Sequence, residues 1–144
     1  MRLTVQSDYA LRTLMYLAAA GPRRATIGEI AGAYGISRAH LMVIVHRLGE
    51  AGLLANERGR GGGIRLARPA SQIRVGEVLR TVEPAFLPAE CFDPENNLCR
   101  ITERCRLRHV FGEALEAWFA VLDRYTLADL VRRRRILSLL EAAQ

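Results

Sequence analysis

The sequence predicts a mainly α protein with a small β-hairpin wing, that is, a winged helix-turn-helix followed by a long C-terminal dimerisation helix. Three features indicate this class. Two amphipathic helices are joined by a short turn that contains glycine, a glycine-rich basic hairpin follows them, and one long apolar stripe dominates the second half of the chain. Half of the 144 residues are hydrophobic, which is enough for the core of one domain.

A first helix is predicted from Ser7, whose hydroxyl can cap it, to about Ala20. Apolar residues recur in this segment at the spacing i, i+3, i+4, i+7, namely Leu11, Leu14, Met15 and Ala18. Such a spacing puts them on one face of a helix, which we expect to pack against the core. A glycine followed by a proline ends the helix.

A helix-turn-helix is predicted next. Thr26 and Glu29 have the spacing of a capping box, so a short second helix begins there and ends near Tyr34. A three-residue turn leads to a third helix over residues 38–51, which Gly52 can close in the left-handed conformation. The apolar face of this third helix is Leu41, Ile44, Val45 and Leu48. Two helices joined by a short glycine-containing turn are typical of DNA-binding helix-turn-helix units.

The wing is predicted as two strands, residues 53–56 and 64–67, joined by a glycine-rich turn that carries Arg58 and Arg60. Glycines at such a tip let the backbone approach a groove or a phosphate closely. A P-loop is excluded because no Gly-Lys-Ser/Thr sequence follows, and because the glycines lie inside a hairpin instead of opening a helix.

The second half is predicted to contain a short helix over residues 75–82, an irregular stretch to about residue 103, and a long helix over residues 104–122. The apolar stripe of the long helix is Leu107, Phe111, Ala114, Leu115, Trp118 and Leu122. Because the first half already forms a complete winged helix, self-association is the economical way to bury this stripe. Packing back on the same domain is the alternative.

Three functional segments follow from this pattern. Residues 1–83 are the predicted winged helix-turn-helix, residues 84–106 a cofactor-binding loop, and residues 107–144 the dimerisation helix with a C-terminal helix. A second capping box at residues 126–129 begins that last helix, which carries the run Arg132 to Arg135. A charge run of this kind is usually a solvated face, and we assign it no role.

Basic charge is concentrated in the winged-helix segment. Residues 23–68 hold eight arginines against three glutamates, whereas acids and bases balance over residues 69–144. A localised basic surface is the expected footprint of a polyanion, because each neutralised phosphate releases counterions. The chain uses arginine and no lysine. This choice suits bidentate recognition of phosphate or guanine, and a codon bias of the genome explains it equally well.

Five residues are predicted to contact double-stranded DNA: Ser37, Arg38 and His40 at the start of the third helix, and Arg58 and Arg60 in the wing. Side chains at the start of a recognition helix reach base edges while the helix N-terminus faces a phosphate. The wing arginines would enter the adjacent minor groove. Each residue alone is also ordinary solvated surface, so the prediction rests on their combination.

The three cysteines, Cys91, Cys99 and Cys105, have the spacing C-x7-C-x5-C in a mostly polar loop. An odd count without an export signal argues against a disulfide framework. The spacing favours an iron–sulfur cluster over zinc, whose sites prefer C-x2-C pairs, although zinc, a chance disulfide and thiols packed as small hydrophobes remain alternatives.

Three thiolates leave one iron position of such a cluster to another group. Candidates besides solvent are Asp8, His109, Glu90 and Asp93, of which His109 shares a helix face with the third cysteine.

Several functional classes are excluded by the sequence. No apolar stretch approaches the roughly 18 to 20 residues that span a bilayer. Asp8 and Arg12 interrupt the first apolar segment and argue against an export signal, so we expect a cytoplasmic protein without membrane association. No His, Ser or acid pair has a recognisable catalytic arrangement, so we expect no enzymatic activity.

The chain resembles the Rrf family of winged-helix repressors along nearly its whole length, and in particular the nitric-oxide-sensing iron–sulfur members of that family. The matching stretches are residues 2–4, 7–12, 34–38 with His40, 58–66, 99–106 and 125–130. The resemblance implies that the three cysteines ligate a 2Fe-2S or 4Fe-4S cluster. It further implies that Asp8, on the first helix of the other subunit, completes the cluster in place of His109. Nitric oxide is then the implied signal.

The resemblance also implies a homodimeric repressor on a pseudo-palindromic double-stranded operator. A related type in the family uses a histidine three residues after its last cysteine as a ligand, but Arg108 stands there in this chain and cannot ligate iron. The interval from Cys91 to Cys99 is longer than in many relatives, so the cluster type stays open. Two alternatives remain. One is a regulator of the same fold that senses redox or iron–sulfur status, and the other is a zinc-stabilised DNA-binding protein without a sensor.

Overall fold

The computed structural model describes residues 3–57, 59, 61–83, 86–131 and 137–138. Six α-helices and one antiparallel hairpin occur within these residues: α1 (Val5–Ala20), α2 (Ile27–Tyr34), α3 (Arg38–Glu50), β1 (Leu54–Glu57), β2 (Gly63–Leu66), α4 (Val75–Val82), α5 (Arg106–Leu122) and α6 (Leu127–Leu130). Short 3-10 helices lie at Ala70–Gln72, Glu90–Phe92 and Thr102–Arg104. Arg58, Arg60 and the run Arg132 to Arg135 lie outside the described residues.

The hydrophobic core is one cluster to which α1, α2, α3, α4, the hairpin and α6 all contribute. The predicted apolar face of α3 lies in it, since its four members are at most 5% exposed. Leu14 of the predicted α1 stripe is fully buried. One core therefore contains residues of the first half of the chain and of α4, together with Leu127 of α6.

The start of α1 differs from the prediction. Thr4, not Ser7, is the capping residue, and its hydroxyl accepts the backbone N–H of Ser7 at 3.2 Å. Ser7 therefore lies inside the first turn, where its side chain is fully buried. The prediction that Ser7 caps the helix was wrong because the hydroxyl of Ser7 is used in a contact with a distant part of the chain, described below.

The helix-turn-helix and the wing form as predicted. Thr26 and Glu29 make both bonds of the capping box at the start of α2. Gly52 follows α3 with a φ of 69°, the left-handed conformation expected there. Each strand is shifted by one residue from its predicted position. Ile64 of β2 also exchanges two backbone hydrogen bonds with Ala25, at 3.0 and 2.8 Å, so the hairpin is fastened to the segment before α2.

α5 projects from this core, because none of its residues is buried. Its C-terminal end is fixed to α4, where both guanidinium nitrogens of Arg80 bind the Asp123 carboxylate at 2.9 and 2.7 Å. Gly76 of α4 makes this approach possible, because a Cβ at that position would lie 2.1 Å from Asp123 Oδ1. In the described part of the chain, no helix is both long enough and apolar enough to cross a membrane.

Candidate functional site

Ser37, Arg38 and His40 are brought together on an exposed surface at the start of α3. Ser37 occupies the capping position, but its side chain makes no capping hydrogen bond to any described residue. The guanidinium of Arg38 lies over the first turn of α2, since a Cβ on Gly28 would be 3.8 Å from Arg38 Cζ. The first turn of α3 contains no acidic residue. This surface therefore offers donors and free backbone N–H groups to an anion.

Two arginines share one glutamate at the root of the wing. Glu57 in β1 pairs with Arg24 at 2.6 Å and with Arg65 across the hairpin at 3.3 Å. Arg24 also donates to the backbone carbonyl of Gly61 at 3.4 Å. These contacts hold the hairpin beside the segment that precedes α2. The tip arginines fall outside the described residues, and their contact with DNA stays a prediction.

Arg47 is an exposed residue of α3 that makes two contacts with distant parts of the chain. Its guanidinium donates to the side chain of Gln6 at 3.0 Å and to the backbone carbonyl of Val82 at 3.2 Å. Arg47 thus joins α3 to the start of α1 and to the end of α4.

The three cysteines lie on the segment between α4 and α5. Cys91 is in a 3-10 helix, Cys99 is in an irregular stretch, and Cys105 is the residue that precedes α5. All three are free thiols of intermediate exposure. The segment is organised by its own hydrogen bonds. The Glu90 carboxylate accepts the N–H of Leu98 at 2.6 Å, which connects the neighbours of the first two cysteines.

Arg108 fixes the cysteine segment to α5. Its Nε donates to the backbone carbonyl of Cys91 at 3.2 Å, and its guanidinium lies 5.7 Å from the centre of the Phe92 ring. Arg108 therefore positions the loop in this chain.

The candidate fourth ligands occupy different surroundings. Both oxygens of Asp8 contact Arg12, at 3.1 and 2.9 Å, in an i, i+4 ion pair. The Asp93 carboxylate accepts hydrogen bonds from the Asn96 side chain and from nearby backbone N–H groups, and these bonds lower the pKa of Asp93. His109 is exposed on α5.

The donor set fits an iron–sulfur cluster, because three reachable thiols without disulfide partners lie on one segment of polar loop. In the described ranges of the single chain, no three His, Cys, Asp or Glu side chains converge on one point as a metal site. The structure therefore places the three cysteines on one segment but does not bring their side chains together. Asp8 lies on a different element, at the start of α1.

Sequence reasoning missed Glu83, the residue that follows α4. Its carboxylate accepts the N–H of Thr4 at 3.3 Å, the hydroxyl of Thr4 at 3.1 Å and the hydroxyl of Ser7. This junction fastens the start of α1, which carries Asp8, to the point from which the cysteine segment departs. No local pattern reveals such a contact, because Ser7 and Glu83 are 76 residues apart in the sequence.

Comparison with known proteins gives one consistent result. A family model described as "Rrf2: Iron-dependent Transcriptional regulator" matches residues 3–133. The chain is 49% identical to "HTH-type transcriptional regulator NsrR" of Bacillus subtilis over 143 residues, which cover 98% of each protein. It is 47% identical to the protein of the same name in Geobacillus kaustophilus, covering 93% of this chain and 92% of the relative. The solved structure "T. potens IscR" superposes with a TM-score of 0.74 at 26% identity, covering 92% of this chain and 87% of that one.

Proposed function

The chain belongs to the Rrf2 family of iron-dependent transcriptional regulators, and on this premise we propose that its operator affinity is controlled by an iron–sulfur cluster that reacts with nitric oxide. In this proposal Cys91, Cys99 and Cys105 hold the cluster, and Asp8 of the partner subunit completes it within a homodimer. Ser37, Arg38 and His40 contact the operator, together with Arg58 and Arg60 of the wing. We place the protein in the cytoplasm and assign it no enzymatic activity.

The observation that supports the cluster most directly is the state of the thiols. All three cysteines of the chain are free and partly exposed on one segment between the winged helix and α5. Thiolates at such spacing suit iron and sulfide better than zinc, because the close C-x2-C pairs of zinc sites are missing. A cluster held by the three thiolates would leave one iron position to the Asp8 carboxylate, a harder donor than sulfur, and that iron would be open to a diatomic ligand.

The contacts of Asp8 supply a path to the DNA-binding surface. Arg12, which holds the Asp8 carboxylate, also lies 5.9 Å from the centre of the Tyr34 ring at the end of α2. Burial raises the pKa of Tyr34, whose partly buried ring packs edge-on against Tyr16 of α1. A displacement of Asp8 would therefore also displace Arg12, which contacts Tyr34 at the end of α2.

The consequence for DNA binding is geometric. Two recognition helices of a dimer must lie about 34 Å apart, or a multiple of this distance, to enter successive major grooves. Engagement of Asp8 by the other subunit ties the two winged helices together, and its release lets their spacing change. A modest change of spacing lowers operator affinity because the two helices no longer fit their grooves at the same time.

Operator binding during titration with nitric oxide tests the proposal. The cluster-loaded full-length protein is titrated anaerobically with nitric oxide and, separately, with an oxidant, while the anisotropy of a labelled operator duplex is recorded. We expect nitric oxide to release the duplex from the wild type. Asp8→Ala protein that keeps its cluster should lose this response.

Three results would contradict parts of the proposal. A normal nitric oxide response in Asp8→Ala protein contradicts the role of Asp8. Release by the oxidant with no effect of nitric oxide indicates a redox sensor of the same fold. Colourless protein that contains zinc after anaerobic purification indicates a zinc-stabilised DNA-binding protein, because an iron–sulfur cluster is brown.

A further inference from the structure

The outer face of α3 carries an apolar patch that the core does not explain. Met42 is 61% exposed and Val43 is 57% exposed, while their neighbours Leu41, Ile44 and Val45 are buried. Ala39 is also exposed. Positions i, i+3 and i+4 are neighbours on a helix surface, so Ala39, Met42 and Val43 form one continuous patch on the solvent side of α3.

The charges around this patch indicate its partner. Arg38 and His40 lie at the same end of α3, and the first turn of the helix holds no acidic residue. The acidic group of the outer face lies beyond the patch, where Glu50 contacts His46 at 3.8 Å. The apolar patch therefore lies on the basic half of the outer face, which suits a polyanion better than a second copy of this chain.

We infer that Met42 and Val43 determine operator specificity by contacting the methyl groups of thymines in the major groove. The C5-methyl of thymine is the apolar group on the base edges of that groove, so hydrogen-bonding side chains such as Arg38 cannot read it. Thymine-rich steps are then selected by the apolar patch, while Arg38 and His40 make the polar contacts. This inference rests on the proposed use of α3 as the helix that enters the major groove.

Replacement of thymine by uracil tests the inference, because it removes only the methyl group. Binding sites are first selected with cluster-loaded full-length protein from a randomised duplex library, and each thymine of the selected site is then replaced by deoxyuridine in turn. We expect the wild type to bind about fourfold more weakly at one or more positions, the equivalent of one buried methyl group. Met42→Ala or Val43→Ala should abolish this discrimination at a defined position.

His46→Ala is the matched control, since His46 lies on the outer face of the same helix beyond the patch. It should leave the ratio of thymine to uracil affinities unchanged. The inference is overturned if the wild type binds every uracil duplex as tightly as the thymine duplex. It is also overturned if Met42→Ala and Val43→Ala both keep the wild-type ratio of thymine to uracil affinities. A change of oligomeric state in Met42→Ala protein overturns it too, by identifying the patch as a protein interface. A different result would contradict the proposed use of α3 itself: the protein selects no sequence from the library, and Arg38→Ala leaves its affinity for duplex DNA unchanged.

Discussion

At the scale of single residues, the Glu83 carboxylate accepts three hydrogen bonds from Thr4 and Ser7 at the start of α1. Ser7 is fully buried at the start of α1, and its hydroxyl donates to the Glu83 carboxylate. A hydrogen bond between a neutral group and a charged one contributes more to stability than a neutral pair does. The junction therefore stabilises the contact between α1 and the end of α4, next to the cysteine segment.

Ser7→Ala should lower the free energy of unfolding by about 1 to 2 kcal/mol, because the charged carboxylate loses one buried donor. Chemical denaturation at neutral pH measures this change. Ser71→Ala is the control, since Ser71 is exposed, and it should change stability by less than about 0.5 kcal/mol. Equal effects of the two substitutions would show that the Glu83 junction contributes no stability.

The sequence predicted the roles of residues whose contacts lie within one turn of a helix. It did not predict the roles of residues whose partners are distant in the sequence. The capping boxes at residues 26–29 and 126–129 follow from local spacing, and the structure confirms them. The actual roles of Ser7 and Arg47 depend on partners more than thirty residues away. Such partners depend on the packing of helices, which periodicity does not specify.

At the scale of elements, the junction between α4 and α5 joins the winged helix to the long helix. Arg80 binds the Asp123 carboxylate with two nitrogens, and its guanidinium lies 4.1 Å from the centre of the Phe119 ring. The bond from Arg80 lowers the pKa of Asp123 below its ordinary value of 3.8. The sequence predicted both helices but not this contact, which depends on the close approach allowed by Gly76.

The pH dependence of stability should report the Arg80–Asp123 pair. The folded state lowers the pKa of Asp123, so the ion pair stabilises the fold at neutral pH. This stabilisation declines once the pH falls below 3.8, and it is lost as the pH passes through the lowered pKa of the folded state. Asp123→Asn should therefore reduce the free energy of unfolding by about 0.5 to 1 kcal/mol at neutral pH, and the difference from the wild type should shrink in acid. Denaturant unfolding measured from pH 7 downward checks this.

The control for this pair is Glu95→Gln, because Glu95 is exposed and its side chain makes no ion pair with the residues that the structure describes. It should show little difference from the wild type at neutral pH. The assigned role of the ion pair would be contradicted if the difference in free energy of unfolding between wild type and Asp123→Asn stayed constant or widened in acid.

At the scale of the whole molecule, α5 carries apolar surface that the single chain leaves uncovered. Leu107 and Val110 are 56% and 50% exposed. A groove of about 390 Å³ lies along the same helix, lined by Leu87, Pro88, Phe111, Ala114, Leu115 and Trp118. The predicted stripe is thus present as a surface, and burial in a homodimer stays our proposal for it.

Ala114→Glu should convert the proposed dimer into a monomer, because it places a charge in the apolar groove of α5. Sedimentation velocity measures the oligomeric state, and operator affinity should fall with it because two linked winged helices bind more tightly than one. Ala120→Glu adds the same charge to the same helix at an exposed position outside the groove. Retention of a dimer by Ala114→Glu protein, or dissociation by both variants alike, would rule out this face as the interface.

The central claim is that the three thiols bind iron and sulfide and thereby control DNA binding. The most direct test measures iron and acid-labile sulfide in protein prepared without air, for the wild type and for a variant with Cys91→Ser, Cys99→Ser and Cys105→Ser. The account predicts both elements in the wild type, neither in the variant, and an operator affinity that responds to nitric oxide only in the wild type. Wild-type protein without iron and sulfide, with the same operator affinity as the variant, would contradict it.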